Sequence, residues 1–312
     1  MRFGPGSQNG SSKTGKVAGA RQMVSLIRGL SIEEIEEAVR QPPRILFVSR
    51  EPDVDDLVEE LTGVRGTPSL EVIDPDRLPK DLDQYDVIVV HNPTSNSDFL
   101  RVRQRAGVAS HRVYDAGQAV QIDDLRARIS EHSGNSAVAL GRWYPAFRNA
   151  AANAVINETS RANAQFTLMA SVPTVIPVIG AIASAGADMI VLTKNQLLMA
   201  IKLAAIHGQP LGDKKAIFKD LMPVIGSGFL WRTLAREGVA FLPFAAGTVP
   251  RVAIAFAGTY ATGRAVDGYY RFGKKPSKEQ INGYYRQALE IVRSRLGKSS
   301  ELTEQATAAP VG

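Results

Sequence analysis

Two hydrophobic rhythms divide the chain. In the first part they alternate. Ile32, Ile35 and Val39 mark one helical face, with Ser31 and Glu34 at capping-box spacing ahead of it and Pro42 and Pro43 closing it. "RILFV" (44–48) is then a short apolar run that reads as a buried strand. Val54, Leu57, Val58 and Leu61 return to helical spacing, and Gly63 stands where a C-cap belongs. The runs "LEVID" (70–74), "YDVIVV" (85–90) and "HRVYD" (111–115) predict three more strands. A helix over "SDFLRVRQRAG" and another from Ile122 to Ser130 fall around the last of them. Strands alternating with helices predict a small α/β domain with a parallel sheet of about four strands.

The second rhythm is helical throughout. "EHSGNSAVALG" (131–141) reads as a linker, and no strand signature follows it. Five helices are expected, near 146–171, 177–207, 213–240, 248–271 and 277–296. The last has a capping box (Ser277, Gln280), an apolar face (Ile281, Tyr284, Tyr285, Ala288, Leu289, Val292) and a stop at Gly297. "PVIG" occurs at 177–180 and again at 223–226, a hint of repeated hairpins. The expected order is therefore a tail (1–20), an N-terminal helix (21–43), the α/β domain (44–130), a linker (131–145), an all-α hairpin or bundle domain (146–297) and a second tail (298–312).

One apolar stretch dominates the helical part. From Phe166 to Thr193 the only charged residue is Asp188. Pro177 to Thr193 would rise about 25 Å as a helix, the short limit for a membrane span. Asp188, Asn195 and Lys202 are seven residues apart and share a narrow stripe, which Ser184 joins one turn earlier. Such a polar seam faces a partner helix or cavity in a bilayer, and a buried network or an exposed edge in a soluble bundle. Small-residue pairs such as Gly180/Ser184 and Ala253/Ala257 permit close helix contact in either setting. A second apolar region, 239–263, carries Arg251 near its middle, which costs roughly 2.5–3.5 kcal/mol if inserted.

Charge sharpens the division. The chain has 312 residues, no cysteine and a net charge of +6. Residues 1–140 carry a net −4 and residues 141–312 a net +10. The absence of cysteine removes disulfides, thiolate catalysis and Cys-based metal centres. A basic helical half attracts anionic lipid or an acidic partner, with Lys214, Lys215, Lys219, Arg232 and Arg236 as the candidate contacts. Nucleic acid is not expected, because no reading motif accompanies the charge. The first residues contain no apolar leader segment.

Candidate chemistry is sparse. "RILFVSREPDVDDLVEELTG" has the strand–loop–helix outline of a P-loop, but Ser49, Val54, Asp55 and Asp56 occupy the positions that need Gly, Gly, Lys and Ser/Thr. Asp53, Asp55 and Asp56 would satisfy the helix N-terminus themselves and repel a phosphate. The loop "HNPTSNSD" (91–98) follows a strand, where open α/β sheets bind ligands, so His91, Asn92, Thr94 and Ser95 are the small-molecule candidates. Ordinary turn and cap chemistry explains the same residues. The four histidines lack metal-ligand spacing. No catalytic residue, metal or cofactor is expected.

"SRANAQFTLMASVPTVIPVIGAIASAGADMIVLTKNQLLMAIKLAAIHG" (160–208), "PVIGSGFLWRTLARE" (223–237) and "LPFAAGTVPRVAIAFAGTYATGRAVDGYY" (242–270) resemble, in order and spacing, the domain of unknown function 697. This is the YcjF-like, GTPase-associated bacterial family, and the resemblance covers about 155–272. It implies a helical, membrane-associated domain at the cytoplasmic face of a bacterial inner membrane, often following a GTPase domain. It carries over no catalytic residue. The N-terminal half departs from it: the P-loop is lost, there is no N-K-x-D motif, and "VIDPDRLP" is not a D-x-x-G switch. The expected protein is non-enzymatic, with a helical domain in or on the membrane. Its α/β domain, a degenerate P-loop-like or Rossmann-like unit, would bind a protein partner such as a GTPase. A homo-oligomer is compatible with this. Two alternatives stay open: a membrane pore or transporter-like assembly lined by the polar seam, and a soluble α/β enzyme using the 91–98 loop.

Overall fold

The computed structural model describes residues 29–117, 121–171, 185–225 and 248–308. The N-terminal part forms a four-stranded parallel sheet: β1 (Ile45–Ser49), β2 (Leu70–Ile73), β3 (Val87–His91) and β4 (Val113–Asp115), in the order β2-β1-β3-β4. This is the opening of the doubly wound order 2-1-3-4-5, whose direction reverses between β1 and β3. The near-continuous apolar runs follow from burial on both faces. Ile45, Phe47, Val87 and Val89 pack under α2 (Val54–Thr62), α4 (Ile122–His132) and α5 (Ser136–Trp143). Leu46, Val48, Ile88 and Val90 pack under α3 (Ser97–Ala106) and the 3-10 turn after it.

The short α1 (Glu33–Ala38) belongs elsewhere. Leu30, Ile32, Ile35 and Val39 join the core of the helical half, and Lys214 Nζ donates to the Leu30 carbonyl at 2.7 Å. The capping box expected at Ser31 and Glu34 does not form. Ile32 is buried and takes the N-cap position, so the helix starts one residue late and the Ser31 hydroxyl turns to Glu33 instead.

The helical half contains α6 (Arg148–Ser171), α7 (Ala185–Ile206), α8 (Lys214–Ile225), α9 (Thr248–Phe272) and α10 (Lys278–Ala308). At α10 the capping box does form: Ser277 N donates to Gln280 Oε1 at 2.8 Å, and Gln280 N to Ser277 Oγ at 3.2 Å. The stop expected at Gly297 does not occur, and neither does a tail from 298, because the helix runs on to Ala308. One glycine costs a helix only about 1 kcal/mol, and the polar residues after it tolerate the conformation.

Residues 131–145, expected to be a linker, are built structure. They hold the end of α4, all of α5 and a turn into α6. Val138 and Ala139 face the bundle core while Leu140, Tyr144 and Phe147 face the sheet core. Tyr144 Oη donates toward the Pro43 carbonyl at 2.6 Å and lies 2.9 Å from Ser69 Oγ, and Trp143 Nε1 donates to the Val39 carbonyl at 3.0 Å. The two halves therefore share α5 as a wall.

Candidate functional site

The sheet offers the first place to look: the carboxyl ends of β1 and β3, where the strand order reverses. His91 ends β3. Its Nδ1 lies 2.9 Å from the Ala116 carbonyl, an acceptor, so Nδ1 carries a proton and donates it to this contact. Asn92 is used up by the loop. Its Oδ1 accepts from Thr94 N (3.1 Å), Thr94 Oγ1 (2.9 Å) and Ser95 N (3.0 Å), and its amide donates to Asp98 at 2.8 Å. This is turn chemistry that delivers the chain into α3. Thr94 and Ser95 are exposed on that turn. The structure thus brings His91, Asn92, Thr94 and Ser95 together, with His91 Nε2 the group the loop does not consume.

Ion pairs tie the same edge of the sheet. Arg50, after β1, binds Asp76 at 2.7 Å, Arg101 binds Asp76 at 3.1 Å, and Arg101 also binds the buried Asp98 at 3.0 Å. The two guanidinium groups hold the Asp76 carboxyl down at about 2. After β1, Asp55 and Asp56 lie in the first turn of α2, and Asp56 pairs with Arg65 at 2.8 Å. Gly63 closes that helix in the left-handed conformation, φ 78°. The arrangement has carboxylates where a phosphate would need donors.

The polar seam of α7 resolves in part. Ser184 lies outside the described residues, and at Asp188 only the backbone is described. Asn195 turns into the bundle and donates to Asn163 Oδ1 at 2.7 Å. Asn163, fully buried in α6, donates to Thr259 Oγ1 of α9 at 2.9 Å. Gln196 donates to the same hydroxyl at 3.1 Å, and the Thr259 hydroxyl donates to the Ala255 carbonyl at 2.9 Å. One closed layer of hydrogen bonds thus crosses three helices. Lys202, two turns beyond Asn195, is half-buried. Asn163, Gln196 and Thr259 were not singled out from the sequence. Only Asn163, polar within "RANAQF", carried a signal, and α6 is too evenly mixed to say which way it points.

Contacts between α6 and α9 also orient the bundle. Asn153 and Asn149 of α6 receive Arg264 (2.6 Å) and Arg271 (3.1 Å) of α9, whereas Asn163 receives no such partner and meets Thr259. α6 therefore runs antiparallel to α9, and its C-terminus shares one end of the bundle with the N-termini of α7 and α9. This end carries three exposed apolar side chains among the described residues. Leu168, Met169 and Ile190 are exposed, Met169 to 71%. Met169 stands six residues past Asn163, about 9 Å along the axis. Lys194 and Arg251 are exposed on the neighbouring helices. Sequence 172–184, which joins α6 to α7 here, contains no charged residue.

Of the basic candidates, Lys214 is engaged by Leu30, Lys215 and Lys219 are exposed on α8, and Arg232 and Arg236 lie outside the described residues. At the opposite end of α9, His207 Nε2 lies 2.8 Å from Asp267, and the ring stacks on Tyr270. Burial pushes the Tyr270 hydroxyl well above its ordinary value. Among the described residues no helix is long and apolar enough to cross a membrane. Comparison of the chain with family models, with curated proteins and with solved structures gives no match.

Proposed function

We propose that this is a non-enzymatic membrane-associated protein whose helical half docks on anionic lipid at the end where α6, α7 and α9 meet. Its α/β half, with carboxylates in place of a phosphate loop, serves to hold a protein partner, a GTPase being the kind the family resemblance suggests. The observation that carries the lipid reading is that Leu168, Met169 and Ile190 are exposed on helices whose ends at this side of the bundle also carry exposed Lys194 and Arg251. Apolar side chains that enter the acyl boundary, ringed by cations that meet lipid phosphates, make up an interfacial anchor.

The test is co-sedimentation with vesicles containing phosphatidylglycerol. The native protein is expected to pellet, and a Leu168→Ser, Met169→Ser, Ile190→Ser variant to lose at least tenfold in apparent affinity at unchanged thermal stability. Equal binding by that variant would move the contact elsewhere. The pore reading draws no support from Asn195, whose amide is spent inside the bundle. The enzyme reading rests on His91 Nε2 alone.

A further inference from the structure

A groove of about 440 Å³ lies between the last turn of α4, the bend at Gly134 and the outer side of α6. That volume is in the range of small-molecule sites, roughly 300–1,000 Å³. Ala137, Ala154 and Val155 give it apolar walls. Ser130 also lines it, is 2% exposed, and has a buried hydroxyl with no hydrogen-bond partner. Serines elsewhere in these helices return the hydroxyl to the carbonyl four residues earlier, as Ser133 does to Ile129 and Ser160 to Ile156. Ser130 does not, and among the described residues nothing offsets the loss of water from its hydroxyl.

The rim carries charges the fold leaves free. Glu131 is on α4, Glu158 on α6 and Arg161 three residues further. Glu158 and Arg161 have the spacing at which Asp98 pairs with Arg101 and Asp123 with Arg126, yet among the described residues neither they nor Glu131 make an ion pair. Gln165 closes the groove three residues before the exposed Leu168, so the opening lies just below the apolar end of the bundle.

We propose that this groove binds a phosphoethanolamine group. Its ammonium would sit between Glu131 and Glu158, its phosphate on Arg161, and the Ser130 hydroxyl would turn outward to donate to it. A free small molecule or a lipid headgroup presents the same chemistry. The headgroup source rests on the membrane reading above, whereas binding of the free molecule does not.

Calorimetric titration of the full chain with O-phosphoethanolamine tests the site. Ethanolamine and inorganic phosphate serve as half-ligands. The expected result is saturable binding in the millimolar range or tighter, at least tenfold tighter than either half. Glu158→Gln and Arg161→Gln should each weaken it at least tenfold without lowering the melting temperature. Ser130→Ala should weaken it several-fold and leave the melting temperature equal or higher. Absence of saturable binding overturns the proposal. So does phosphate binding as well as the whole molecule, or a Ser130→Ala variant that melts lower while binding normally. Vesicles of phosphatidylcholine with and without phosphatidylethanolamine separate the sources. If the free molecule binds and neither vesicle does, the site stands with a soluble ligand and the headgroup role is overturned. If vesicles bind equally well to the Arg161→Gln variant, docking occurs elsewhere and the headgroup role is overturned.

Discussion

Asn163 shows what a single buried amide contributes. It is fully enclosed, and its amide serves α7 and α9 together. Asn163→Leu keeps the volume but strands Asn195 and weakens the hold on Thr259. Leaving buried groups unpaired costs roughly 1–3 kcal/mol, to be read as a lower urea midpoint at unchanged slope. Asp76 makes a different prediction. Its carboxyl is held at about 2 against an ordinary 3.8 by Arg50 and Arg101, so the folded state favours the charged form. A depressed value stabilises above the unfolded value, and that contribution disappears as pH falls from about 4 through 2. Asp76→Asn should therefore flatten the stability–pH curve in that window, lowering stability slightly at neutral pH and leaving it unchanged at the acid end. The effect is small, since the group is exposed. A steep acid limb that survives the substitution would assign the acid sensitivity to other carboxylates.

At the scale of elements, the strands were legible because parallel strands buried on both faces leave unbroken apolar runs. All four appear within two residues of their expected ends. The helices of the second half were legible for a similar reason, while α5 was not. "AVAL" (137–140) is buried on every side, has no amphipathic period, and follows "SGNS", which reads as a turn. The partners of α7 were hidden too, since a seam can be read from one helix but the residues opposite it cannot. Close packing explains another position. A Cβ at Gly263 of α9 would lie 2.7 Å from Ile156 Cγ1 and 3.0 Å from Met199 Sδ. Gly263→Ala is expected to push α6, α7 and α9 apart and to cost about 1–3 kcal/mol, despite the better helix propensity of alanine. A rise in thermal stability for this variant would show that the three helices have room to spare.

At the scale of the molecule, α5 joins the sheet and the bundle into a shared core, while the charges remain divided. The net −4 of residues 1–140 and the +10 of the remainder give the two halves opposite fields. Among the described residues of the basic half, Leu168, Met169 and Ile190 are exposed at one end, and Phe272 at the other. The 91–98 loop, legible as a ligand candidate from its position after a strand, spends most of its polar atoms on its own turn. The groove on α6 left no trace in the sequence, because Ser130, Glu131, Glu158 and Arg161 come together only when α4 folds onto α6.

The central claim is that the helical half meets a membrane, and fractionation of cells making the native chain tests it most directly. Membranes would be washed in turn with high salt, alkaline carbonate and detergent. The protein is expected in the membrane pellet, with the Leu168, Met169 and Ile190 serine variant shifted to the supernatant. Release by salt would assign the contact to Lys194, Arg251 and their basic neighbours, and release only by detergent to the apolar end. A native protein found wholly in the supernatant before any wash would contradict the account.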